Sequence, residues 1–580
     1  MFADMKITRT IISLTVIFFS LHSIAQLQIP VGHFSSPLGI DLLVTGAFGE
    51  IRSNHFHSGV DFSVLKKEGL PVYSVADGWV SRIKISPVGF GKALYIDHPG
   101  GFTSVYGHLS GYNKAIFNYS RDRQYKEKSF EIDIFPASDN DTLWVRRGEI
   151  IGYAGNSGTS YGAHLHFEMR NTFTQRIINP LLFGYAYRDN HSPYIERLSI
   201  YPGDDASFFN GSNQAAYLSV VRMPSDEYRI KDRDTLEVWG RFSFGLQAFD
   251  YFYSKEDRNG WYSMTMTCDG KTFFTMQVDS FSFAETRYIN ASIDYADNYR
   301  KASRIMCSGK LPGNELSLHQ TMDGDGTVHA DEGKIKEIVI VVGDLSGKKT
   351  LLRLWLKGVK PDRTVTAAMI PDADTTFMVS YRHPYSFETP EILVQIPEGS
   401  LYQDTRISYS RHPRTANSFS HLYKIHFPEV PLHKKIRVSV GAGLLPERLQ
   451  SKALLARKDE KGKIQSAGGA FKDGFVTTET NVFGKYFIVA DTIPPSVKLI
   501  HDNTNKRKNI RFRVSDNLSG ITKYYGEVNG NWALVEWDPK NRLMIYWFDE
   551  LLKPGKNVVK LFVEDAKGNK ASSTTHYLMK

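Results

Sequence analysis

The sequence predicts a mainly β, multidomain protein, and three observations carry that prediction. At 580 residues the chain is too long for one hydrophobic core, so about three to five domains are expected. Aromatic residues make up 13% of it and sit in short runs broken by Gly, Pro, Asn and Asp, which favours strands joined by tight turns and leaves room for few helices. A faint internal repeat also recurs in β-type segments. DNHSPYIERLSIYP at 189–202 resembles DTIPPSVKLIHD at 491–502, FSFGLQAFD at 242–250 resembles IRFRVSD at 510–516, and VVGDLSGKK at 341–349 resembles FVEDAKGNK at 562–570. Each copy runs from an Asp-x-x-x-Pro opening to an Asp-x-x-Gly-Lys/Asn turn ahead of a closing strand, the order expected of sandwich modules of immunoglobulin-like type.

Taken in order, residues 1–25 have the form of a secretory signal: Lys6 and Arg9, the apolar run IISLTVIFFSL, then Ser23-Ile24-Ala25 before Gln26. The apolar run is short for a span of about 20 residues, no second run is long enough, and no cysteine follows the cleavage point to take a lipid. The expected product is exported to the periplasm, cell envelope or medium and is not an integral membrane protein after cleavage. Residues 26–188 form the first domain. PVYSVADGWVSRIKISPVGFGKALYIDHPGGFTSVYGHL, 71–109, reads as consecutive hairpins, and the polar stretch at about 112–143 as an insertion projecting from them. VRRGEIIGYAGNSGTSYGAHLHFEMR then resumes the strand and turn alternation. Three β modules are expected to follow, at 189–360, 361–488 and 489–580.

Cys268 and Cys307 are the only cysteines, which excludes a cysteine-built metal site and a disulfide-dense scaffold, and their pairing stays open. The net charge of +9 suits an anionic partner such as a cell-wall polymer. No nucleic-acid partner is expected, because the basic run NKRKN at 505–509 has the form of a hairpin tip without interleaved aromatics.

The chemistry concentrates in two short stretches. NHFHSGVDF, 54–62, places His55, His57 and Asp61 within nine residues; GAHLHFE, 162–168, alternates on a strand so that His164, His166 and Glu168 share one face while Leu165 and Phe167 point to the core. His108 ends a third strand, SVYGHL. Imidazole and carboxylate groups together can hold zinc and leave an open position beside a proton-transfer group. Competing motifs are incomplete: Gly89-Phe90-Gly91 lacks a third glycine, GNSGT lacks the last glycine of a nucleophile elbow, and DGDGTVHADEGK at 323–334 lacks the calcium-loop spacing.

The order HFHSGVD, VYGHL, GAHLHFE closely resembles the lysostaphin-type (LytM-domain) zinc endopeptidases, over about residues 30–188. The resemblance implies an antiparallel β peptidase domain built on a duplicated hybrid motif, with Zn2+ as cofactor. It implies His57, Asp61 and His166 as metal ligands, and His164 and His108 as catalytic residues flanking the metal-activated water. His55 and His98 remain alternatives of lower weight. It further implies hydrolysis of peptide crosslinks or stem peptides of peptidoglycan. A catalytically inactive wall-binding protein, an amidase activator, or an adhesin or scaffold working through the β modules are the competing expectations. Loss of ligand residues would mark the inactive forms, and none of the five is missing.

Overall fold

The computed structural model describes residues 29–136, 142–225, 227–252, 257–361, 374–501 and 508–579; the signal-like segment and most of the NKRKN run lie outside them. The chain is built almost wholly of antiparallel sheets. Near the N-terminus the main sheet runs in the order Val44–Gly46, Val60–Ser63, His164–Asn171, Phe102–Leu109, Lys92–His98, Gly78–Ile85, Ile132–Ile134, every neighbouring pair antiparallel. A smaller sheet pairs Ile150–Tyr153 with Pro71–Tyr73 and Gly111–Tyr112. The middle strand His164–Asn171 is buried on both faces: Leu165 and Phe167 are fully buried, and so are His166 and Glu168 on the opposite side. A strand with no wet face must satisfy every polar group it carries from inside the protein, and that requirement shapes the site.

The 112–143 stretch differs from the projecting insertion expected of it. It forms the helix Lys114–Glu127, capped by the Asn113 side chain on the Ile116 amide, and then the strand Ile132–Ile134, which lengthens the main sheet. The helix buries Ile116, Ser120 and Gln124, one residue per turn. Two of the three are polar, so its inward face carries no apolar stripe to announce it.

One hydrophobic core extends from Phe34 through the peptidase-like sheet into the following segment as far as Leu356. The sheet itself crosses that boundary, because Ile177–Ile178 pairs with Ser280–Phe281. Separate cores run from Val379 to Ile488, between two sheets, and from Ile510 to Val563, between two more. Segments 194–358 and 496–579 share a set of strand pairings, although the first forms one 12-stranded sheet and the second two four-stranded ones. Tyr194–Pro202 lies on Thr235–Phe249 as Ser496–Ile500 lies on Asn509–Ser515. Ser263–Cys268 takes Lys271–Gln277 on one side and Ile335–Gly343, then Lys349–Gly358, on the other, as Ile521–Val528 takes Asn531–Ala533, Gly555–Asp565 and Lys570–Met579. Cys268 and Cys307 are both free thiols. No helix among the described residues is long and apolar enough to cross a membrane.

The last segment folds back onto the first. Arg121 of the helix bonds to Glu550 at 2.7 Å, Tyr125 donates to Asp549 and packs edge-on against Trp532, and Lys92 pairs with Glu536 at 2.7 Å. Lys540 donates to the carbonyls of Asn156 and Gly158. Between the two segments lies a cleft of about 870 Å³.

Candidate metal centre

Sheet register assembles the centre. Asp61 pairs directly with His166, and His166 with Gly107, so three strands bring these residues into one row. Directly opposed residues project from the same face. Gly107 adds no side chain to crowd the row, and at Gly59 a Cβ would fall 2.7 Å from the His166 ring and 2.6 Å from the Phe167 carbonyl, so only glycine allows the His57–Asp61 segment to lie this close. His57 joins from the loop before the Val60–Ser63 strand, its backbone tied to the Ala47–Glu50 turn by His57 N to Glu50 O at 2.9 Å and Gly49 N to His57 O at 2.8 Å.

Three donor atoms converge. His57 Nε2 lies 3.0 Å from Asp61 Oδ1 and 3.1 Å from His166 Nδ1, and His166 Nδ1 lies 3.0 Å from the same carboxylate oxygen. Such mutual distances suit atoms sharing one ion at about 2.0–2.2 Å. The remaining nitrogen of each imidazole is held. His57 Nδ1 donates to the Ala47 carbonyl at 2.8 Å, and His166 Nε2 donates to Glu168 at 3.1 Å, which fixes both tautomers with a lone pair toward the shared point. Glu168 in turn binds Arg170 Nε at 2.7 Å, and Phe90 stacks on the His166 ring at 4.7 Å.

Electrostatics match this arrangement. Burial opposes the Asp61 charge, but His57, His164 and His166 around it hold its carboxyl well below the usual carboxylate range. Burial also opposes charge on Glu168, and Arg170 with His166 outweighs it, bringing the carboxyl down to about 2. For His166 burial is outweighed by Asp61 and Glu168, which raise its pKa to about 9. Arg52 reaches the second Asp61 oxygen at 3.4 Å and continues through Glu50 to Arg304.

The open side of the centre carries two further imidazoles. His164 Nδ1 donates to the Gly162 carbonyl at 2.9 Å, leaving Nε2 3.4 Å from Asp61 Oδ1. The His108 ring centre lies 4.8 Å from that of His164 and 5.8 Å from that of His166. His108 sits in a β-bulge, where the register slips between Lys92 and Leu94, with φ at +59°. A left-handed backbone is uncommon for histidine in a strand and turns the side chain out of the ladder toward the centre. Its Nδ1 donates to Ser157 O at 2.8 Å, which turns the Nε2 lone pair away from that carbonyl; burial, then His166 and His164, push its pKa down to about 3, so the ring is neutral.

His57, Asp61, His166, His164 and His108 therefore lie together. His55 lies apart, exposed and bonded to the Ser53 carbonyl; His98 is buried between Asp77 O and Ser104 Oγ, where it ties strand to turn. Glu168 is the member that sequence reasoning placed on the right face and gave no role. The alternation His164-x-His166-x-Glu168 held the signal for it.

A β-sheet domain with a His, His, Asp donor set, open on a side lined by two imidazoles, has the make-up of a hydrolytic metal site. Residues 55–117 match peptidase family M23, and the chain carries an M23 domain of LytM/lysostaphin type there. Residues 376–491 match the Zu5-like domain. A DD-carboxypeptidase/endopeptidase Mpg of Neisseria meningitidis is 33% identical over 114 residues, 20% of this chain and 20% of that protein. Lysostaphin of Staphylococcus simulans is 30% identical over 120 residues, 20% and 19% of the two chains. The match thus spans about a fifth of these relatives' length. Among solved structures, the catalytic domain of the M23 protein EnpA from Enterococcus faecalis aligns with 27% of this chain and 98% of its own, at 23% identity and TM-score 0.19.

Proposed function

We propose that the chain is an exported zinc endopeptidase that hydrolyses peptide bonds of peptidoglycan. The observation that carries this reading is the convergence of His57 Nε2, Asp61 Oδ1 and His166 Nδ1 on one point, with two imidazoles on its open side. The named relatives, a DD-carboxypeptidase/endopeptidase and lysostaphin, support the reaction class.

The donor set fits zinc: two neutral nitrogens and one carboxylate oxygen, each imidazole backed by an acceptor, with no thiolate nearby. Zinc held there supplies a Lewis acid for the scissile carbonyl and acidifies a water. The chain's own groups do the rest. His108, neutral and anchored by Ser157, accepts a proton at Nε2 and returns it to the leaving amine. His164, anchored by its Nδ1–H on Gly162, donates from Nε2 to the charge that develops on the carbonyl oxygen in its doubly protonated form, with Asp61 beside it as counter-charge. Asp61 stays ionised and compensates positive charge on either ring.

Cavities lie on both sides. The cleft against the last module begins at Ser157, whose carbonyl holds His108. Beyond Asp61 a polar pocket of about 660 Å³ is lined by Arg52, Arg197, Arg258 and Arg304 together with Glu50 and Glu196, each arginine already paired with a carboxylate of the chain. Purified cell walls incubated with the zinc-loaded protein test the reading. Mass spectrometry should find released fragments with new amino and carboxyl termini inside the peptide portion, and walls that stay intact, or are cut only in the glycan, would refute it.

A further inference from the structure

Oxygen atoms without hydrogen-bond partners gather at one place far from the candidate zinc centre. Asp189, Asp250 and Asp344 bring ligand oxygens within 4.8 Å of one another. The Asp189 side chain is 4% exposed and that of Asp344 fully buried. Neither oxygen of Asp189, nor Oδ2 of Asp344, receives a hydrogen bond. Asn259 adds an independent sign. It faces Asp250 across a bridge in which each amide donates to the other's carbonyl at 2.9 Å, so both side chains leave the same side of the backbone. Asn259 is fully buried, and its Oδ1 also lacks a partner. Lys348 Nζ faces Asp189 Oδ1 at 3.1 Å and Asp344 Oδ2 at 3.7 Å, which leaves Asp189 Oδ2 and Asn259 Oδ1 without any donor; buried polar atoms are almost always satisfied, and a further cation would supply what these two lack.

The same triad recurs where the strand pairings recur. Asp491, Asp516 and Asp565 stand at the matching opening, central and closing positions of the last module, again within 4.8 Å, with Asp516 Oδ1 unpartnered. The closing turns share their bonding: the Lys348 amide bonds Asp344 Oδ1 at 2.8 Å as the Asn569 amide bonds Asp565 Oδ1 at 2.9 Å. Lys348 Nζ reaches Asp189 O at 3.1 Å as Asn569 Nδ2 reaches Asp491 O at 2.9 Å.

We propose that Asp189, Asp250 and Asp344 form a calcium site, and that Asp491, Asp516 and Asp565 form its repeat. The donors are all hard oxygens without imidazole or thiolate, which selects calcium over zinc; their burial leaves little room for the water shell that magnesium retains. Lys348, whose ammonium lies 3.1 Å from Asp189 Oδ1 and 3.7 Å from Asp344 Oδ2, offsets one of three charges and competes with the ion in the first site. One lysine does not suffice: burial, with Asp189 and Asp344, still pushes the Asp250 carboxyl up to about 8. Both triads open their modules, at residues 189 and 491, so a bound ion stiffens the junctions that lead from the peptidase domain to its neighbour and from the Zu5-like segment to the last module. Occupancy is expected in the range of extracellular modules, about 10⁻⁴–10⁻³ M.

Equilibrium dialysis of the full chain against CaCl2, read by elemental analysis, separates calcium from zinc. Two calcium ions per chain are expected at 5 mM free calcium, about fivefold above the top of that range. Asp344→Asn and Asp565→Asn should each weaken one of them at least tenfold, leaving zinc content unchanged. Lys348→Ala, a change at a partly exposed side chain, should tighten the first site several-fold. A folded chain that retains no calcium refutes the proposal, as does a Lys348→Ala chain that binds calcium less well than the parent.

Discussion

Replacing Glu168 by glutamine removes the negative charge behind the candidate metal centre while keeping the shape of the side chain. Glu168 is fully buried and divides its oxygens between His166 Nε2 at 3.1 Å and Arg170 Nε at 2.7 Å. Two costs follow. His166 loses the carboxylate that makes it a stronger donor, a kind of change that weakens metal binding about 10–100-fold, or about 1.4–2.7 kcal/mol. Arg170, itself buried, loses its counter-ion, and breaking a buried pair costs about 3–5 kcal/mol. The second cost is at the lower end here, because Arg170 keeps the faces of Tyr95 and Phe283 at 5.3 and 4.8 Å. Competition between protein and a chelator of known zinc affinity measures the first cost, and thermal melts in EDTA the second. A Glu168→Gln protein whose zinc affinity lies within about twofold of the parent would show that the carboxylate does not act through His166.

His164→Ala and His108→Ala should each lower wall hydrolysis by about 10²–10⁴-fold while zinc stays near one per chain; an active His164→Ala protein would overturn its role. His57→Ala or Asp61→Asn should lose zinc and activity together, and chelation followed by zinc readdition should restore only the parent. Arg121→Ala with Lys540→Ala should loosen the last module by about 1–2 kcal/mol, because partly exposed ion pairs are worth little each, and amide exchange at 156–158 and 531–550 should rise about 5–30-fold. Unchanged exchange would place the docking energy elsewhere. The Glu550 carboxyl is held below its ordinary range by Arg121, so its contribution is present above the unfolded pKa and is lost as pH falls through the folded value. Small-angle scattering should accordingly show the molecule expanding as the pH drops below about 4.

Much of the centre was legible because its members are side chains at strand spacing. His57, Asp61 and His166 lie in two short motifs, and picking these three from among the histidines there rested on the family resemblance; period-2 alternation separates His166 from Leu165. The groups that hold them were not legible. Ala47 O and Ser157 O are backbone acceptors, and backbone carries no residue-type signal. The His108 bulge depends on the pairing of Lys92 with Leu109, a long-range register. The Lys114–Glu127 helix escaped for a different reason: its buried face holds Ser120 and Gln124, and its partners Asp549 and Glu550 lie more than 400 residues away. The repeat at 189 and 491 was visible as turn composition; that its three aspartates meet in space required the sheets.

The fold-back of the last segment closes a circuit. The peptidase-like sheet shares its core with residues up to 356, that segment touches the next through Arg287 and Leu432, the next touches the last through Lys452 and Lys567, and the last returns to Arg121 and Lys92. Three of these links are covalently continuous, and the fourth is a clasp made of side chains. The width of the cleft beside Ser157 is thus set by the contacts between successive segments all round the circuit and not by its two walls alone. How often the clasp lets go therefore governs how open the cleft is, independently of the chemistry at the candidate metal centre.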